Sequence, residues 1–435
     1  MNIKEYKLYN DEQVLNLGQT PSGWSVLRIK DLVIRIGSGV TPKGGSEVYV
    51  ESGIPLLRSQ NVYDDGLRIE DVSFIDEETN KKMKGSQLKP FDILINITGA
   101  SIGRTCVVPE NLKKANINQH IIFLRIKKRK VDFLSFYLKS PFIKDHIMMI
   151  QAGSSKEALN MGQLLNIPVL IPNQTEQKQI ANFLDHKTTA IDKKINLLEQ
   201  KIIHYQELRR SLIGATVCRG LEKNIKLKDS GINWIGMIPE HWEIKRTTDI
   251  CKQNKRKNIL LKETNLLSLS YGNIVIKDFE TAFGLLPKSF DSYQIVEKGY
   301  IILRLTDLQN DKKSLRVGLV HEKGIITSAY LGLIFHKSIC SSFVFYLLHS
   351  YDIKKVFYSQ GGSMRQSMKF DDFKSIKIII PPKQEQRQIA KYLDDKTLKI
   401  DQIIGNIQNQ IETLKELRKT LINDVVTGKI KVTEP

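Results

Sequence analysis

Arginine, asparagine, glutamine, serine and threonine can pair with the donor and acceptor edges of nucleobases. Two stretches of this 435-residue chain gather such side chains near the ends of β-rich runs. In the first half they are Arg58, Gln60 and Asn61, then Asn96, Thr98, Arg104, Asn118, Gln119 and His120. In the second half they are Ser270, Tyr271, Asn273, Arg304, Thr306, Arg316, Ser328 and Tyr330. Cations suited to clamping phosphates cluster at Lys252, Lys255, Arg256 and Lys257, and again at Lys312, Lys313 and Arg316. Polar residues at strand ends also serve as turn formers and caps, and cation clusters also serve as solvated faces. The pattern therefore takes its weight from the rest of the chain.

The whole chain is basic, with 66 Lys+Arg against 47 Asp+Glu and a net charge of +19. That balance favours a polyanion as partner, because clustered cations release the counterions condensed on phosphates. Catalysis is not expected. No GxxxxGK[ST] loop is present to cradle a nucleotide, and no Asn-Pro-Pro-Tyr-like motif occurs. Gly37-Ser38-Gly39 and Gly44-Gly45 read as turns. Cys106, Cys218, Cys251 and Cys340 are far apart and without nearby histidines, so neither a disulfide framework nor a metal site is expected. A length of 435 residues allows two or three domains at about 150 residues each, and 41% hydrophobic residues let each bury a core. The N-terminus is charged from the start and no apolar run is long enough to span a membrane. A cytoplasmic location is the expectation.

The elements that position these residues come from a duplication. Shifted by 209 residues, positions 171–213 match 380–422 at 20 of 43 places. The matches include Ile171-Pro172 with Ile380-Pro381, Glu176-Gln177 with Glu385-Gln386, and Ile191-Asp192 with Ile400-Asp401. Gly153-Ser154 likewise matches Gly362-Ser363, and Pro21-Ser22-Gly23-Trp24 resembles Pro239-Glu240-His241-Trp242. Between these landmarks the copies have drifted apart.

The repeated blocks carry a heptad seam. Its members are Ile191, Ile195, Leu198, Ile202, Tyr205 and Leu212, and in the second copy Ile400, Ile404, Ile407, Ile411, Leu414 and Leu421. Arg209 and Arg418 interrupt it at equivalent places. Prolines before and Gly220 and Gly428 after bound two helices of about 40 residues, hence about 60 Å each. The diverged blocks alternate β-rich runs such as 92–97 and 300–305 with helical stretches at 131–150 and 341–358. The predicted fold class is α+β: two mixed α/β domains separated by two long antiparallel coiled-coil helices, as a pseudo-twofold tandem repeat. The predicted layout is an N-terminal extension 1–19, a first domain 20–170, a helical spacer 171–221, a polar linker 222–237, a second domain 238–379, a second spacer 380–428 and a tail 429–435.

On these residues the chain resembles the specificity subunits of type I restriction–modification systems. The repeated block from Ile171-Pro172 to Ile213, its second copy, and the openings Gly23-Trp24 and Ile238-Pro239-Glu240-His241-Trp242 carry the resemblance most specifically. The element Leu56-Leu57-Arg58-Ser59-Gln60-Asn61-Val62 fits too, with Leu269-Ser270-Tyr271-Gly272-Asn273-Ile274 as its counterpart. So does Phe91-Asp92-Ile93-Leu94-Ile95 with Gly99 and Gly103, although no Gly-rich turn follows Leu303 in the second copy. The resemblance implies two target recognition domains on double-stranded DNA, one per half of a bipartite site. It implies a non-catalytic subunit that docks two methyltransferase subunits binding S-adenosylmethionine. It further implies up to two restriction subunits using ATP and Mg. Two other readings of the residues stay open: a coiled-coil scaffold for proteins, and a nuclease whose scattered acids converge in space.

Overall fold

The computed structural model describes the chain except for residues 1, 7, 11–19, 128–130, 152–157, 278–288, 307, 309–314, 359–366 and 434–435. Gly153-Ser154, Gly362-Ser363, Lys312 and Lys313 lie outside the described residues. Two compact units emerge. The first joins Met1–Leu198 to Asn409–Pro435, and the second is Glu199–Gln408.

Both repeated blocks are helical, α1 over Gln174–Arg219 and α2 over Lys383–Val426. Their starts are built alike. The Gln177 amide donates to the Pro172 carbonyl at 2.8 Å, and the Gln386 amide donates to the Pro381 carbonyl at 2.8 Å. Each bond satisfies a carbonyl that the helix itself cannot reach. Asn173 Oδ1 also accepts from the Glu176 N–H at 3.0 Å, one of the orphan donors of the first turn. Their ends are alike as well. Gly220 and Gly428 take φ of 75° and 77°, the left-handed backbone that stops a helix. There is also no room for a side chain: a Cβ at Gly220 would lie 3.3 Å from the Trp242 ring, and one at Gly428 would lie 2.4 Å from Pro21.

In the first unit a four-stranded antiparallel sheet consists of β1 (Val33–Ser38), β2 (Ile93–Asn96), β3 (Thr105–Val107) and β4 (Ile121–Ile126), in the order β3-β2-β4-β1. The run Ile93-Leu94-Ile95 is apolar throughout because both faces are covered. Ile93 and Ile95 join the core that holds Phe133, Tyr137 and Leu184, whereas Leu94 joins a smaller one with Leu57, Ile117 and Phe123. The second unit repeats the sheet with β5 (Cys251–Gln253), β6 (Ile301–Leu303), β7 (Val317–Leu319) and β8 (Leu331–Phe335), in the order β7-β6-β8-β5. Ile301 and Leu303 face the main core, and Ile302 faces a smaller one.

A two-stranded pairing leads into each long helix: Ser25–Arg28 with Pro168–Ile171, and Glu243–Arg246 with Lys377–Ile380. After it, Asp31 caps the Arg28 N–H at 2.8 Å and Asp249 caps the Arg246 N–H at 2.9 Å.

Within the first unit, Ile180, Phe183 and Leu184 of α1 share a core with Ile422, Val425 and Val426 of α2, and Asp192 binds Arg418 at 2.9 Å. Within the second, Ile213 and Val217 share a core with Ile389, Ala390 and Leu393, and Arg209 meets Asp401 at 3.3 Å. Moving forward along α1 is moving backward along α2 in both, so the pairing is antiparallel in each unit. The seam follows the burial. Ile195, Ile400, Ile407 and Ile411 are buried, and Ile191, Leu198, Ile202, Tyr205, Leu212, Ile404, Leu414 and Leu421 are half-buried. Leu197, Ile203, Leu208, Leu398 and Leu417, off the seam, are exposed.

Some expectations need correction. Segment 222–237 is not a bare linker: Leu227–Asp229 pairs antiparallel with Met237–Pro239, and Ile232 and Ile235 are buried in the main core of the second unit. Two isoleucines in a polar stretch suffice to anchor it. The extension and the tail are likewise joined, Asn2–Lys4 pairing antiparallel with Lys431–Thr433. The stretch 131–150 is two helices, Val131–Lys139 and Pro141–Ile150, because Ser140 caps the second one and Pro141 has no N–H to continue the first. The stretch 341–358 similarly ends its helix at Ile353 and closes with a 3₁₀ turn, Val356–Tyr358.

Candidate nucleic-acid interface

In the first unit the connection from β2 to β3 forms a 3₁₀ turn, Gly99–Ser101, and a second turn, Ser59–Asn61, lies beside it. Between them is a shallow depression of about 430 Å³ lined by Ser59, Gln60, Tyr63, Thr98, Gly99, Ala100, Ser101, Arg104 and His120. The sequence-predicted Gln60, Thr98, Arg104 and His120 are thus brought together. The His120 ring bridges the Thr98 hydroxyl, at 2.7 Å from Nδ1, and the Gln119 amide, at 3.0 Å from Nε2. With that amide donating, His120 carries its proton on Nδ1 and Thr98 Oγ1 accepts it. The Gln119 carbonyl oxygen in turn accepts from Thr41 at 2.6 Å. Asn118 is half-buried, and its Oδ1 accepts from the His120 N–H at 3.2 Å.

Other predicted base readers point inward. Asn61 is buried; its Oδ1 accepts from the Arg58 N–H at 2.9 Å and its amide donates to the Arg68 carbonyl at 2.8 Å. Asn96 is fully buried and donates to the Ser59 carbonyl at 2.8 Å. Both hold turns in shape and have no edge to offer a ligand. Arg58 is half-buried, with its Nε enclosed and without a hydrogen-bond partner among the described residues.

In the second unit the largest departure is Arg316. It is buried, with Nη1 donating to the Arg304 carbonyl at 3.0 Å and the Thr306 carbonyl at 2.5 Å, and its backbone N–H donating to Asp352 at 2.9 Å. It braces the start of β7 and does not face outward as expected. Arg304 and Thr306 are exposed. Lys252, Lys255, Arg256 and Lys257 are all exposed, and Arg256 pairs with Glu297 at 2.6 Å. Ser270 and Asn273 face each other across a two-residue hairpin whose turn, Tyr271-Gly272, has φ of 47° and 83°. Tyr271 stands 70% exposed at its tip. This hairpin differs in backbone from the capped 3₁₀ turn Ser59–Asn61, so the expected equivalence of the two elements ends at the preceding strands. Ser328 donates to the Ser292 carbonyl, and Tyr330 packs beside Leu267 and Leu269.

Residue types alone missed Ser59, Tyr63 and Ser101. Tyr63 carried a signal, an aromatic ring between Arg58 and Arg68 in a polar stretch. The guanidinium carbons of Arg104 and Arg68 lie 4.7 Å and 4.9 Å from its ring centroid. Asp64 was missed too: its Oδ1 accepts from the Thr105 N–H at 3.0 Å, and its Oδ2 pairs with Lys144. Among the described residues no group of three or more His, Cys, Asp or Glu side chains could hold a metal ion. No described helix is long and apolar enough to cross a membrane.

The family model described as type I restriction modification DNA specificity domain matches residues 21–203 and 239–413. Two relatives from Methanocaldococcus jannaschii align over nearly the full length. The type I restriction enzyme MjaVIII specificity subunit is 26% identical, covering 98% of this chain and 97% of its own. The MjaIX specificity subunit is 24% identical, covering 96% of each. Among solved structures, a chain from work on complex assembly and conformational transition of the type I R-M system superposes with a TM-score of 0.69 at 14% identity, covering 94% of this chain and 98% of that one. The HsdS subunit from Thermoanaerobacter tengcongensis gives a TM-score of 0.52 at 14% identity, with the same coverage. These likenesses extend to the fold.

Proposed function

Since this chain belongs to the type I restriction–modification DNA specificity family, we propose that it is the subunit that reads DNA sequence for such a complex. One observation carries this. The same antiparallel sheet is built twice, in the same strand order, and the connections at its tips differ between the copies. A duplicated scaffold suits a duplex whose backbone is itself twofold. Unlike tips suit unlike half-sites, so the target is bipartite and non-palindromic. The repeated helices supply the parts common to any target: spacing and two equivalent docking surfaces for methyltransferase subunits. Up to two restriction subunits complete the assembly. The chain is non-catalytic in this reading. S-adenosylmethionine belongs to the methyltransferase partner, and ATP and Mg to the restriction partner.

The test is a domain exchange. Residues 20–170 are replaced by the corresponding domain of another family member. The chimera is produced with its methyltransferase, and methylated adenines are mapped in the host genome. One half-site changes and the other persists. A change in both halves, or in neither, refutes the reading. So does equal binding of all duplexes at moderate salt by the unaltered complex.

A further inference from the structure

The two sheets share a ladder rung that carries arginine in both units and uses it oppositely. In the first unit the Asn96 N–H donates to the Arg104 carbonyl at 2.9 Å, and in the second the Arg304 N–H donates to the Arg316 carbonyl at 2.9 Å. Arg104 and Arg316 therefore occupy the same place, immediately before β3 and β7. Arg316 is spent inside on two carbonyls, as described above. Arg104 instead opens onto the depression with Gln60, Ser101 and His120. No carboxylate pairs with it among the described residues, whereas its neighbour over the same ring, Arg68, is neutralised by Asp65 at 2.6 Å.

Arg104 is also unusually well held. Its own N–H donates to the Ser101 carbonyl at 3.1 Å, and the next N–H, of Thr105, is bound by Asp64. The guanidinium carbon lies 4.7 Å from the Tyr63 ring centroid, a cation–π contact that restrains it over that ring. A half-buried guanidinium over an aromatic ring, with unspent donors, presents a planar fork. Such a fork matches the O6 and N7 acceptors of guanine in the major groove. The same fork can also grip a phosphate, but a phosphate contact carries no base preference, and base preference is what the experiment reads.

We propose that Arg104 is the side chain by which the first domain reads a guanine in its half-site, with Tyr63 as its positioning residue. This rests on the DNA-reading function proposed above.

The test uses the complete chain with its methyltransferase partner and a target defined by methylation mapping. Each dG of the half-site assigned to residues 20–170 is replaced in turn by 7-deaza-dG, which lacks N7, and each G·C pair by A·T. The unaltered complex loses roughly 5- to 150-fold in affinity at one such position, the range of a bidentate arginine–guanine pair. Arg104→Ala binds the altered and unaltered duplexes equally at that position, Arg104→Lys keeps only part of the discrimination because its ammonium still reaches N7 or O6 without the fork, and both keep every other preference. Tyr63→Ala blunts discrimination at the same base, and Tyr63→Phe restores it. If both Arg104 variants lower affinity by one factor on all duplexes, Arg104 is a phosphate contact and the proposal falls. Retention of the full base preference by both variants overturns it as well. A wild-type complex that distinguishes no duplex sinks the underlying DNA-reading function instead, a result visible before any variant is made.

Discussion

The collars around the two long helices and the tips of the two sheets have diverged by very different amounts. At the helix starts the repeat is copied bond for bond: Gln177 on Pro172 and Gln386 on Pro381, both at 2.8 Å. At the sheet tips a single rung keeps an arginine in both copies, yet Arg104 faces a depression and Arg316 faces the core. Conserved sequence at the collar preserves a contact, whereas the same residue at the tip preserves only a backbone position. The side chain's role there depends on what the other strands bring.

The largest expected effect follows from that contrast. Arg316→Ala removes a buried cation that binds two backbone carbonyls, at a cost of about 1.5–3 kcal/mol. Arg104→Ala costs no more than about 0.5 kcal/mol, because a half-buried surface side chain is lost. Urea midpoints for the two variants measure the difference; equal losses would erase the distinction between the tips.

A second contrast is titratable. The helix Ser341–Ile353 of the second unit buries a histidine, His349, whereas Val131–Lys139 of the first holds none. His349 is buried, and burial together with the nearby Arg209 and Arg210 pushes its pKa down to about 4, from an ordinary value of 6.5. The folded state therefore binds fewer protons than the unfolded chain between those values. Stability is full above pH 6.5 and is lost as pH falls toward 4. Comparing denaturation at pH 7 and pH 5 should show a smaller loss for His349→Gln than for the unaltered chain. An identical loss would mean that His349 does not set the acid sensitivity.

Small effects also belong to the helix ion pairs. Asp192–Arg418 is the better covered, with side chains 17% exposed for the arginine and 39% for the aspartate. In Arg209–Asp401 the corresponding figures are 29% and 55%. Arg418→Ala should cost up to about 1 kcal/mol, Arg209→Ala less, and both losses should shrink at high salt. Thermal midpoints in low and high salt decide this, and a larger effect at Arg209 would reverse the ranking.

Much of this was legible in the residues. The duplication, the heptad seam and the glycines ending both helices are local patterns, and local patterns survive translation into structure. Arg209 and Arg418 read as interruptions of the seam, and no pattern within one helix reveals that each meets an aspartate of the other block. At the site, Gln60, Thr98, Arg104 and His120 were recognisable by type. Asn61, Asn96 and Arg316 were indistinguishable from them, because inward or outward direction is decided by which backbone groups the fold brings within reach. For Arg316 these are the carbonyls of Arg304 and Thr306, just beyond the neighbouring strand.

By itself the amino-acid order determined that one unit is present twice, that its shared parts are helical, and that its unlike parts carry the polar side chains. Tertiary structure alone decided which arginine of a common rung is exposed. The physical reason is that a guanidinium goes where its donors are satisfied: inside when backbone carbonyls converge on it, as at Arg316, and onto an aromatic face beside open space when they do not, as at Arg104.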